Sequence, residues 1–114
     1  MGANVRFGTT VPQIKRSWQD AKEVTVLLDE LGYDTAWVCD HLFGVPFPNA
    51  PIFEAYTELS ALAAVTTSIE LGALVTPPYF RPPAVLAKQL ATLDQISNGR
   101  AIAGLGVGWN GAEF

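Results

Sequence analysis

Residues 83–111, PAVLAKQLATLDQISNGRAIAGLGVGWNG, contain a whole helix, its stop, a strand and the turn that follows it. Pro82 and Pro83 suit a first helical turn, where a missing N–H has no partner to lose. Leu86, Leu90, Leu93 and Ile96 then recur at helical spacing, and Asn98-Gly99 supplies the stop. Arg100 to Leu105 reads as a strand, and it opens into the turn Gly106-Val107-Gly108-Trp109-Asn110-Gly111.

The same alternation runs through the rest of the chain. Val5 to Val11 is β-rich and stops at Pro12, which cannot continue a ladder. Ser17, three residues before Asp20, resembles a capping box, and Ala21, Val24, Leu27, Leu28 and Leu31 mark a helix that ends at Gly32. Thr35 to Cys39 is short, apolar and unalternating, as expected of a strand covered on both faces. A loop with Pro46, Pro48 and Pro51 leads to a second helical stripe, Ala55, Leu59, Leu62, Ala63 and Thr66, and Glu70 to Val75 returns to strand character.

Strands thus begin near residues 5, 35, 70 and 100, in the order βαβαβαβ. Such alternation implies right-handed crossovers and a parallel sheet. Two architectures accept it: an open doubly wound sheet, or half of an eight-stranded barrel of ~250 residues. Spacing alone leaves both open. In either one, ligands sit at the carboxyl ends of the strands, after Val11, Cys39, Val75 and Leu105.

Composition excludes several partners. The chain has 114 residues, 49% of them hydrophobic, which suffices for one compact domain over 1–114. A formal charge of −4, a pI near 4.7 and the lack of any Lys/Arg cluster argue against nucleic acid. No apolar run reaches the ~18 residues of a membrane span, and Met1 to Arg6 does not open a targeting signal, so a cytoplasmic protein without a membrane partner is expected. The lone Cys39 has no partner for a disulfide or a zinc site; it reads as a small buried residue in a strand, and no metal is expected.

Chemistry is concentrated at Asp40-His41. A histidine at a strand's carboxyl end lies on the active face and titrates near neutral pH, as a proton donor or acceptor must. The structural alternative is a histidine bonded to a loop carbonyl, with Asp40 capping backbone N–H groups. Gly106 to Gly111 fits G-x-G-x-x-G, but it follows the fourth strand and not the first, so a dinucleotide fingerprint does not apply. These glycines instead allow close backbone approach to a flat ligand or a neighbouring loop, with Trp109 as stacking surface or core. Arg81 could meet an anion, but a solvated loop arginine is the plainer reading. Phe43, Phe47, Phe53, Tyr79 and Phe80 fall in loops at the carboxyl ends and suggest a ring-shaped ligand or a buried interface.

Four stretches together resemble the luciferase-like monooxygenase family, in particular its branch using the deazaflavin coenzyme F-420. They are Asp40-His41-Leu42-Phe43, Leu71 to Pro77, Pro83 to Arg100 ending Ser-Asn-Gly-Arg, and Gly104 to Asn110. The resemblance implies a TIM-type (β/α)8 barrel of which this chain holds strands one to four and three helices. It implies hydride transfer between coenzyme F-420 and a small organic substrate or, in relatives using reduced FMN, monooxygenation. In similar enzymes the histidine matching His41 lies beside the reactive ring and moves a proton or positions substrate, with Asp40 near the coenzyme. A non-prolyl cis peptide would join Leu74 to Val75 against the ring. Leu74, Val75, Thr76, Gly106, Gly108 and Trp109 complete the expected cofactor contacts, and a homodimer is common in the family. The run Asp-His-Leu-Phe, without a second histidine, favours the deazaflavin over FMN. One departure is Trp109, where the sugar-phosphate dehydrogenase branch carries a glutamate.

A barrel lacking strands five to eight leaves two apolar edges, and phosphate sites usually form after strands seven and eight. Three explanations are open, a fragment of a longer natural enzyme, a truncated piece, or a half barrel that pairs with a second copy, and the stop in the loop after strand four, with no fourth helix, favours truncation. A non-catalytic α/β module that kept the pattern and lost the site is the alternative.

Overall fold

The computed structural model describes residues 4–114; the reading of Met1 to Ala3 as free of a targeting signal lies outside the described residues. The elements are β1 (Gly8–Thr10), α1 (Trp18–Glu30), β2 (Thr35–Val38), α2 (Ala55–Val65), β3 (Glu70–Ala73), α3 (Pro83–Ser97), β4 (Ala101–Ile102) and a 3-10 turn, Gly111–Glu113. The four strands are parallel and lie in the order β1-β2-β3-β4. A doubly wound sheet reverses its order part-way, whereas a barrel adds each strand beside the last. The sequential order makes this sheet one wall of a barrel.

The local signals act as the sequence implies. Ser17 and Asp20 form a reciprocal capping box at the start of α1. Gly32, with φ +80°, follows the end of that helix, and α3 ends through Asn98 and Gly99, both in the left-handed region. The strands are shorter than their apolar runs. The first begins at Gly8 and not Val5, because only Gly8 to Thr10 faces Thr35 to Trp37. The second ends at Val38, so Cys39 lies just past the strand and is only half-buried, against its reading as a buried strand residue. Between β3 and β4 the ladder lapses after Gly72 and Ile102, then resumes as a bridge between Thr76 and Leu105.

All three helices cover one face of the sheet. Ala36 and Val38 of β2 and Leu71 and Ala73 of β3 meet Ala55, Leu59, Leu62 and Ala63 of α2, with Leu86 and Leu93 of α3 and Ala21 of α1 around them. Each leucine so buried contributes about 2 kcal/mol. The expected stripe of α2 is wholly buried, from Ala55 to Thr66. Those of α1 and α3 need correction: Leu27, Leu31 and Ile96 are exposed, because α1 turns Ala21, Thr25 and Leu28 inward and α3 turns Leu86 and Leu93.

Arg100, which closes the Ser-Asn-Gly-Arg run, ties the layers together. Its guanidinium donates to the carbonyls of Ser97, Ala63, Thr66 and Ile69 and to Thr66 Oγ1, at 2.6 to 3.1 Å. Two carbonyls at the end of α2, those of Ala63 and its cap Thr66, are thereby satisfied.

The opposite face carries Trp37, whose Nε1 donates to Thr35 Oγ1 at 3.0 Å. Two glycines, Gly72 and Gly8, make room for its indole, while Gly104 makes room for backbone. A Cβ on Gly72 would lie 2.9 Å from the ring, one on Gly8 would fall on the Thr35 side chain, and one on Gly104 would strike the Ala73 carbonyl. No helix among the described residues is long and apolar enough to cross a membrane.

Candidate functional site at the carboxyl rim

Parallel strands bring the segments that leave β2, β3 and β4 to one rim. Asp40 and His41 leave β2, Leu74 to Thr76 leave β3, and Gly104 to Gly108 leave β4. Thr76 N–H donates to Gly104 O at 2.8 Å and Gly106 N–H to Thr76 O at 2.9 Å, which fixes the last two segments against each other. The peptide between Leu74 and Val75 is cis, as the resemblance implies. Asp40, His41, Leu74, Val75, Pro77, Gly108, Trp109, Glu113 and Phe114 line one recess of about 150 Å³. Thr76 is buried beneath it, its hydroxyl 2.9 Å from that of Tyr56. Gly106 lies beside Val75, where a Cβ would collide with the valine side chain. Every residue expected at the cofactor is thus at this rim, although Thr76 and Gly106 do not line the recess.

His41 is not bonded to a loop carbonyl. Its Nδ1 lies 3.0 Å from each carboxylate oxygen of Glu113, and Glu113 Oε1 also accepts the Leu42 N–H at 2.8 Å. The His41 side chain keeps 21% of its surface exposed, whereas Glu113 keeps 2%. Trp109 meets the imidazole edge-on, with centroids 6.3 Å apart, and is itself 74% exposed, so it is not a core residue. The glycine turn places these rings: Gly108 has φ +79°, and a Cβ there would strike the Phe114 ring and Pro77.

Arg81 takes the anion-binding alternative over the plainer one. It is an ion-pair partner and not a solvated arginine: its Nη1 and Nη2 hold the two oxygens of Asp40, and Nη2 reaches Glu54 Oε1 at 3.0 Å. The side chains of Arg81 and Asp40 are 10% and 2% exposed, and the guanidinium lies over the Tyr56 ring. The hydrogen bond to Asp40 keeps Arg81 firmly charged. Among the described residues Asp40 caps no backbone N–H; both its oxygens are committed to Arg81.

A further network lies below. Gln13 donates to Glu58 Oε2 at 2.8 Å and to Cys39 O at 3.1 Å, and accepts the Cys39 N–H. Glu58 Oε1 is buried without a hydrogen-bond partner. Burial pushes the Glu58 carboxyl above its ordinary value of 4.5, and the bond from Gln13 pulls it only partly back. A carboxyl whose folded value is raised binds its proton more tightly in the native state, so its contribution to stability falls as pH rises from about 4.5 through the raised value. Glu58→Gln removes that titration. The denaturation midpoint of the variant is therefore expected to gain on that of the native protein as pH rises, and a constant difference across the carboxylate and neutral ranges would contradict the assignment. Desolvation, aided by the charge of Glu58, likewise raises the Cys39 thiol and makes it a poor nucleophile.

Glu113, Gln13 and Glu58 did not stand out in the sequence, and neither did the partner of Arg81. Their partners lie 26 to 72 positions away, and no local spacing reports a contact of that kind.

The sequence profile described as luciferase-like monooxygenase matches residues 3–114. The chain belongs to that family. Among the luciferase-like relatives, 5,10-methylenetetrahydromethanopterin reductase of Methanopyrus kandleri is 36% identical over 106 residues, 93% of this chain and 28% of that protein. Pyrimidine monooxygenase RutA of Rhizobium rhizogenes is 37% identical over 108 residues, 90% of this chain and 29% of that protein. The solved structure of the coenzyme F420 dependent tetrahydromethanopterin reductase from Methanopyrus kandleri superposes with a TM-score of 0.82 at 33% identity, covering 98% of this chain and 29% of that one. The chain spans less than a third of the length of these relatives. These relatives are oxidoreductases and monooxygenases, and this sheet is a segment of the barrel on which they are built.

Proposed function

We propose that the intact gene product is an oxidoreductase that transfers hydride between coenzyme F-420 and a small organic substrate. The observation that carries this reading is the convergence on one recess of a partly exposed imidazole, an apolar shelf and an open indole. Leu74, Val75 and Trp109 are large apolar groups exposed beside His41, and a flat heteroaromatic ring with a polar edge would cover them while meeting the imidazole. The residues present therefore fit the tricyclic end of a deazaflavin. Leu74 and Val75 would bear one side of the ring, the glycine turn would let backbone approach it, and Trp109 would limit its tilt.

When bound, the coenzyme supplies the hydride chemistry at its C5. The chain's own part is to hold the ring, keep water from one side of it, and offer His41 to donate or accept a proton at the substrate. Asp40 contributes by shape and charge, since Arg81 already occupies its oxygens. The reading carries with it a cytoplasmic protein that pairs with a second copy and uses neither metal nor nucleic acid. A monooxygenase using reduced FMN is the second reading, supported by the likeness to the pyrimidine monooxygenase.

Fluorescence titration of the intact gene product with F-420 and with FMN tests the choice. Saturable binding of F-420 is the expected result. Binding of FMN alone would transfer the assignment to the monooxygenase reading, and binding of neither would favour a non-catalytic module.

A further inference from the structure

Glu113 has no part in the function as stated so far, yet it is the closest partner of the residue on which that function turns. Its carboxylate is almost wholly buried, receives Nδ1 of His41 between its two oxygens at 3.0 Å, and takes the Leu42 N–H with one of them. An ionised carboxylate only accepts hydrogen bonds, so Nδ1 must carry a proton to satisfy it. The other nitrogen, Nε2, has no protein partner among the described residues, and the ring borders the recess. The bond made by one imidazole nitrogen decides the protonation of the other.

We propose that Glu113 is a positioning residue for His41, which it holds as the Nδ1-protonated neutral tautomer with a bare Nε2 presented to the recess as an acceptor. The geometry is over-determined. The Leu42 bond fixes the carboxylate, the carboxylate fixes the plane of the imidazole, and the edge of Trp109 closes the third side. Asn110 contributes by accepting the Ala112 N–H, which winds the short turn that delivers Glu113. A substrate hydroxyl could then donate to Nε2 without any reorientation of the ring. This role deepens the proposed oxidoreductase reading and rests on it for its catalytic meaning, but the tautomer itself does not depend on which coenzyme binds.

The test is long-range proton–nitrogen correlation NMR on the intact, nitrogen-15-labelled gene product at alkaline pH, with the His41 signals assigned by their loss in His41→Ala. The expected pattern is a protonated Nδ1 and an unprotonated Nε2. Glu113→Ala is expected to switch the ring to the mixture of free imidazole, in which Nε2–H predominates. Should that variant not fold, Glu113→Gln serves: its amide offers one acceptor and one donor where the carboxylate offers two acceptors, so the Nδ1-protonated share falls. A native protein showing Nε2–H, or a variant with unchanged signals, would overturn the proposal. Failure to bind F-420 or FMN with the tautomer pattern intact would sink the oxidoreductase reading and leave this one standing.

Discussion

Replacing Arg81 by methionine is expected to cost the intact protein about 3 kcal/mol of stability, read as a fall in its denaturation midpoint. The reason is what the change leaves behind. Asp40 would remain 2% exposed with both oxygens stripped of their donors, and an unpaired buried charge is far more costly than a paired one is beneficial. The expected cost lies at the low end of the range for buried pairs because Arg81 sits in a loop that can admit water. Arg81→Lys keeps the charge but not the two-pronged geometry, and should fall between the two. The double variant Arg81→Met, Asp40→Asn should regain part of the loss, because the stranded charge has gone. An Arg81→Met midpoint equal to the native one would mean that the pair is solvated in solution.

Loss of the imidazole has the larger consequence for turnover. His41→Ala is expected to lower kcat by about a hundredfold or more, with the denaturation midpoint nearly unchanged, measured through the bleaching of F-420 by a substrate that reduces it. The side chain is partly exposed and its main contacts are Glu113 and the Trp109 edge, so its removal opens no core cavity. Glu113 would be left buried without the imidazole, but its bond from Leu42 N–H remains. Unchanged kinetics would remove His41 from the chemistry, and a collapse of stability would make its role structural.

The sequence made legible those features that depend on neighbours in the chain. The capping box at Ser17, the stop at Asn98-Gly99 and the apolar stripe of α2 are all local, and each is where spacing put it. The distribution of strands was also readable, since a turn residue or a proline bounds almost every one. The choice between barrel and open sheet was not, because both share the same alternation; the side-by-side strand order decides it. Strand lengths were overestimated, since apolar character continues into rim segments that leave the ladder, such as Leu74 and Val75. At the site, His41 and the glycine turn were visible as unusual residues at strand ends. Their partners were not, because Arg81 and Glu113 look like ordinary surface charges until folding buries them against Asp40 and His41.

The indole of Trp37 occupies the barrel side of the sheet because Gly8 and Gly72 beside it have no side chain. The ring and the Ile102 carbonyl close on position 72 from two sides, so a slimmer residue at position 37 would not by itself admit a side chain there. A lone Gly72→Ala in this background should push the ring aside more than any exchange on the helical face would.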